Sequence, residues 1–151
     1  MNRHLLILAA AIFLLMPACQ ADQSGGETDV FGTVHDSSFD SIAGFAEKFG
    51  DEYVLTLSDD PSYTCTTNPT ANYLSVVMNG VDDTGSYSAA GNVTFNEVNN
   101  LGVIEQEAAT SGSFTVTVFT DASGDERLEG TIDASGRTSS VSGTFEMPVC
   151  D

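Results

Sequence analysis

Apolar residues in this chain recur at every second position, and that spacing belongs to a half-buried strand. In YVLTLS, Tyr53, Leu55 and Leu57 share one side of an extended backbone, while Val54, Thr56 and Ser58 take the other. YLSVVMN places Leu74, Val76 and Met78 on one face, and SFTVTVF sets Phe114, Val116 and Val118 against Thr115 and Thr117. RLEGTID contributes Leu128 and Ile132, and SVSGTFEM contributes Val141, Phe145 and Met147. A helix would instead bring residues three and four apart together. Clusters of Gly, Asp, Asn and Ser separate the runs, as turns require. With further runs at 30–34 and 93–98, the pattern predicts about eight strands in an all-β fold. The expected architecture is a single antiparallel β-sandwich or small β-barrel over residues 30–151.

A weak echo runs through these segments: Gly32-Thr33-Val34, Gly85-Ser86-Tyr87, Gly112-Ser113-Phe114, Gly130-Thr131-Ile132 and Gly143-Thr144-Phe145. Glycine inside a strand marks a bulge, a bend or a close backbone approach. Its repetition predicts a strongly curling sheet, a better account than glycines cleared for a ligand. One segment is ambiguous. In SFDSIAGFAEKFG, Phe39, Ile42, Phe45 and Phe49 fall near helical spacing. Gly44 inside the pattern, and the turn-like FGDEY before Tyr53, favour a hairpin.

The first residues give an address. An apolar run at 5–16 follows Arg3 and ends near Ala18. At about 12 residues it is shorter than the roughly 20 that span a bilayer, and its layout is that of a secretory signal peptide. Met16-Pro17-Ala18-Cys19 resembles a lipobox, the bacterial motif cut by signal peptidase II. The resemblance implies removal of 1–18 and acylation of Cys19. Several acyl chains would hold the domain on a membrane without a spanning segment. Ordinary cleavage after Ala21, with release of a soluble protein, is the alternative. Residues 19–29 then read as a flexible acidic tether, reaching about 17 Å over ten residues. Gln20 stands where an Asp would retain an enterobacterial lipoprotein at the inner membrane, so the resemblance favours the outer membrane.

After that cleavage, Lys48, Arg127 and Arg137 face 22 acidic residues, leaving net −19. Such a surface repels nucleic acid and anionic membrane faces. It keeps a protein soluble in high salt, attracts cations, or simply prevents association; the near absence of Lys favours a saline habitat. With Cys19 assigned to lipid, Cys65 and Cys150 form an even pair in an oxidising compartment, where a disulfide is the default. It would pin the C-terminal tail to the loop after an early strand.

Taken in order, EYVLTLSDDPSYTC, LSVVMNGVDDTGSYS, NVTF, GSFTVTVF, LEGTID and VSGTFEMPVC resemble an uncharacterised β-rich domain of bacterial lipoproteins ending in PVC. The resemblance covers nearly all of residues 31–151 and implies a Cys65–Cys150 pair. That group has no established activity, so no catalytic residue is carried over.

Motifs for chemistry are sparse. His35 is the only histidine after the leader, with Asp36, Ser37 and Ser38 beside it. A hydrolytic triad needs convergence in space, and no Gly-x-Ser-x-Gly elbow occurs. Asp51-Glu52, Asp59-Asp60 and Asp82-Asp83 sit at expected strand ends, where acids are ordinary solvated turn residues. In DASGDERLEG, Asp121, Ser123 and Asp125 alternate as in a calcium loop. Glu126 and Ile132, however, occupy the positions where an EF-hand needs Gly and Glu. The expectation is a non-catalytic, lipid-anchored envelope domain without cofactor or dedicated metal residues, acting in structure, adhesion or ligand binding, with a protein or glycan as any partner. A weak calcium-dependent binding module is the alternative, and a secreted hydrolase is third.

Overall fold

The computed structural model describes residues 27–120, 122 and 124–150. Eleven strands appear among them and no helix. They are β1 (Thr28–Val34), β2 (Ser37–Asp40), β3 (Ala43–Phe49), β4 (Glu52–Ser58), β5 (Tyr73–Val81), β6 (Gly85–Ser88), β7 (Val93–Val98), β8 (Ile104–Ala108), β9 (Ser111–Thr120), β10 (Glu126–Ser135) and β11 (Ser140–Cys150).

The all-β expectation holds, while its finer details need correction. Hydrogen bonding runs β6-β9-β10-β11-β3-β4-β5-β7-β8, with β1 added beside β11 and β2 beside β1. The sheet is mixed: β11 runs parallel to β3, pairing Val149 with Ala46 and Cys150 with Glu47. It curls into a half-barrel instead of forming two antiparallel layers. The strand count exceeds eight because β2, β6 and β8 are only four or five residues long. The last two are the ends of the path, and short polar edges are how sheets avoid further pairing. Three of the five residues of β8, Glu105, Gln106 and Glu107, are polar or charged, so no alternation betrays it.

Inward residues follow the expected faces. Phe39, Leu55, Leu57, Met78, Phe95, Phe114, Leu128 and Met147 are all fully enclosed. Each large apolar side chain so buried contributes roughly 1.5–3 kcal/mol. The glycines serve close approach. A Cβ on Gly130 would lie 1.9 Å from the Thr115 carbonyl oxygen and 2.7 Å from Phe145 Cζ. At Gly143, with φ 149°, it would lie 1.9 Å from the Asp29 carbonyl oxygen.

Residues 43–58 form the hairpin favoured over a helix, turned at Gly50 with φ 69°. The helix-like spacing is spread over different surroundings: Phe39 is in the core, Phe45 lies against Tyr63, and Ile42 and Phe49 are exposed. Cys65 and Cys150 are joined as expected, with Cα atoms 5.4 Å apart. The disulfide ties the loop between β4 and β5 to the end of β11. Tyr63 of that loop packs 5.0 Å from Phe45 and 5.6 Å from Tyr73. Among the described residues, no helix is long and apolar enough to cross a membrane.

Candidate functional site

Alternation sends the odd-numbered residues of β9, β10 and β1, and their even-numbered partners on β11, away from the core. Cross-strand register lines them up. Thr115, Thr131, Thr144 and Asp29 make one row, and Ser113, Asp133, Ser142 and Phe31 another. Thr117, Glu129 and Glu146 make a third, where the Glu146 amide also donates to the Glu27 carbonyl. Most of these side chains are exposed, including Thr115, Thr117, Glu129, Thr131 and Thr144.

Over this face opens a groove of about 1070 Å³, bounded on one side by Asp40 at the end of β2 and Ile42 after it. Glu27, Asp29, Asp40, Glu129 and Glu146 contribute five carboxylates to it. Glu129 and Glu146 are direct cross-strand partners, a repulsive pairing. Arg127 relieves it, its Nε donating to Glu146 Oε1 at 2.8 Å. Thr115 and Thr131 hydroxyls lie 2.8 Å apart, and the Thr131 amide donates to Thr115 Oγ1. The arrangement offers hydroxyls and negative charge on a rigid surface, suited to hydrogen bonding and attraction of cations. Among the described residues, no three His, Cys, Asp or Glu side chains gather closely enough to hold a metal ion.

Comparison with models of known protein families, with curated proteins and with solved structures finds no match for this chain.

The residues singled out in the sequence are dispersed. Cys19 lies outside the described residues, as do Asp121 and Ser123 of the calcium-loop candidate. Asp125, the third member of that candidate, directly precedes β10. His35 and Asp36 form the turn after β1, with φ 49° and 62°. The His35 Nε2 lies 3.3 Å from the Phe95 carbonyl oxygen, so its ring addresses a main-chain acceptor. The Asp36 amide donates to the Thr138 carbonyl. Asp51 and Glu52 are exposed at the β3–β4 turn. Asp82 accepts from the Tyr87 hydroxyl at 3.1 Å, and Asp83 caps the Thr84 amide at 2.7 Å. Asp60 caps Ser62 in the same way. Asp60, Asp82 and Asp83 thus organise turns.

Two polar networks lay beyond sequence reasoning. Tyr53 donates to Glu126 Oε1 at 2.7 Å, and Lys48 donates to both, joining the β3–β4 hairpin to β10. The Tyr53 hydroxyl, then Lys48, hold the Glu126 carboxyl below its ordinary pKa. In the second, Glu107 of β8 accepts from Arg137, Thr138 and Ser139 in the β10–β11 turn. No local motif announces either one, since the partners stand 73 and 32 residues apart.

Proposed function

We propose that this chain is a non-catalytic, lipid-anchored domain of the bacterial cell envelope, held through Cys19 at the outer membrane. Its open β-face meets a protein or glycan partner. The observation that carries the binding reading is the unequal covering of the sheet. On β3 and β4, Phe45 and Thr56 are buried, with Tyr63 of the disulfide-tied loop packed on Phe45. Among the described residues, the outward rows of β9, β10, β11 and β1 have no such cover. A rigid sheet with an uncovered polar face is a suitable recognition scaffold. The anchor rests on the short apolar leader, the lipobox-like Met16-Pro17-Ala18-Cys19 and the resemblance to β-rich lipoproteins.

The experiment is expression with the native leader in a bacterium that has an outer membrane, followed by mass spectrometry of the mature N-terminus. Acyl mass on Cys19, lost in Cys19→Ala together with membrane retention, is the expected outcome. An unmodified chain beginning after Ala21 overturns the anchor. For the face, Glu129→Lys should reduce binding of the Cys19→Ala protein to isolated envelope fragments without lowering its thermal midpoint. Unchanged binding removes this face as the recognition surface.

A further inference from the structure

A second pocket lies near the turn that ends β1. Ser37 opens β2, Asp59 follows β4, Asn72 and Tyr73 stand at the start of β5, and Glu97 and Asn100 come from the end of β7 and its turn. They surround about 430 Å³. That is within the range of small-ligand clefts, roughly 300–1000 Å³.

Its polar groups are largely uncommitted. Asp59 and Asn99 are engaged, Asp59 Oδ1 accepting from the Leu74 amide at 2.7 Å and Asn99 Oδ1 from the Leu101 and Val103 amides at 2.9 and 3.1 Å. The side-chain polar atoms of Ser37, Asn72, Tyr73, Glu97 and Asn100 make no hydrogen bond to another described residue. Two amides and two hydroxyls can each donate and accept, and the Glu97 carboxylate accepts. Tyr73 adds an aromatic surface, braced by Tyr63 at 5.6 Å. Asn72 holds φ 60°, a left-handed conformation that Asn tolerates better than most residues.

We infer that this pocket binds a sugar ring carrying no negative charge. Adjacent hydroxyls on such a ring match mixed donors and acceptors, and its C–H face suits Tyr73. An anionic ligand would meet Asp59 and Glu97 with no Lys or Arg in the lining. An apolar ligand would leave the amides and hydroxyls unpaired, at a desolvation cost. The inference is independent of the anchor and of the open face, because it needs only the folded domain.

Amide NMR of the mature full-length chain tests it, with separate titrations of glucose, N-acetylglucosamine, glucosamine and glucuronate. At least one of the first three should give saturable shifts at Asn72, Tyr73, Val98 and Asn100, while glucuronate leaves these amides still. Asn72→Gly preserves the left-handed backbone while deleting the amide, and Glu97→Gln keeps the shape. Each should weaken binding about tenfold, with the remaining spectrum unchanged. Thr131→Ala on the open face should have no effect. The inference is overturned by absence of saturable shifts with all three sugars, by an equal response to glucuronate, or by affinity untouched in both pocket variants. Failure of these titrations, with Cys19 acylated in the separate mass-spectrometry experiment, condemns this pocket alone.

Discussion

The Glu107 carboxylate on β8 accepts a hydrogen bond from Ser139 Oγ at 2.6 Å, although 32 residues separate them in the chain. The same carboxylate accepts from the Thr138 amide at 2.9 Å and the Thr138 hydroxyl at 2.8 Å. Ser139 Oγ in turn accepts the His35 amide at 3.0 Å. One edge strand is thereby latched to the turns of two hairpins, β10–β11 and β1–β2. The latch spans a gap that strand pairing leaves open.

Glu107→Ala should lower unfolding stability by about 1–3 kcal/mol, because buried Ser139 and neighbouring amides lose their acceptor. Urea denaturation of the variant beside the parent measures it.

The latch also gives a pH dependence. Hydrogen bonds, first from Ser139 and then from Thr138 and Arg137, lower the Glu107 pKa from 4.5 to about 2. A depressed carboxyl pKa stabilises the fold fully above the unfolded value, and that contribution disappears as pH falls through the folded one. Thermal midpoints should therefore decline from about pH 4.5 towards pH 2, and the part due to this group should be missing in Glu107→Gln. A parent and variant with parallel acid profiles would contradict this.

Loss of the Cys65–Cys150 bond, by double replacement with Ser, should cost roughly 4–5 kcal/mol in the chain-entropy account, given its separation of 85 residues. Hydrogen exchange should rise first in residues 59–72, which that bond holds against the sheet.

Gly130→Ala forces a methyl group towards the Thr115 carbonyl at 1.9 Å and the Phe145 ring at 2.7 Å. Backbone displacement should cost about 1–3 kcal/mol, read by chemical denaturation. Thr117→Ala, on the exposed side of the same sheet, should change stability by less than about 0.5 kcal/mol.

Tyr53→Phe removes the 2.7 Å donation to Glu126 while keeping the aromatic ring. The Glu126 pKa should move up towards its ordinary value, since Tyr53 is the larger cause of its depression and Lys48 the lesser. Carboxyl NMR titration checks the direction.

Much of this was legible before folding. Period-two runs located β4, β5, β7, β9, β10 and β11, and marked the inward side chains correctly at Leu55, Met78, Phe114 and Ile132. β8 stayed hidden because an edge strand needs no alternating apolar face, and its polar Glu107 is employed elsewhere. Phe39, Ile42, Phe45 and Phe49 left a helix open beside the favoured hairpin because spacing cannot tell a core side chain from one under a loop or one in solvent. The candidate sites were the least legible. Asp29, Glu129 and Glu146 are unremarkable acids in sequence, and only strand register sets them around one groove.

Local chemistry decided what local chemistry can: extended segments, their inward faces, the turns between them and the two cysteines able to pair. These depend on each residue's own backbone preference and its neighbours two positions away. Tertiary structure alone decided the parallel seam between β3 and β11, the half-barrel curl, and the meeting of Glu107 with Ser139. Those arise when a long chain closes on itself, and the free energy of such contacts belongs to pairs of residues that no short window contains.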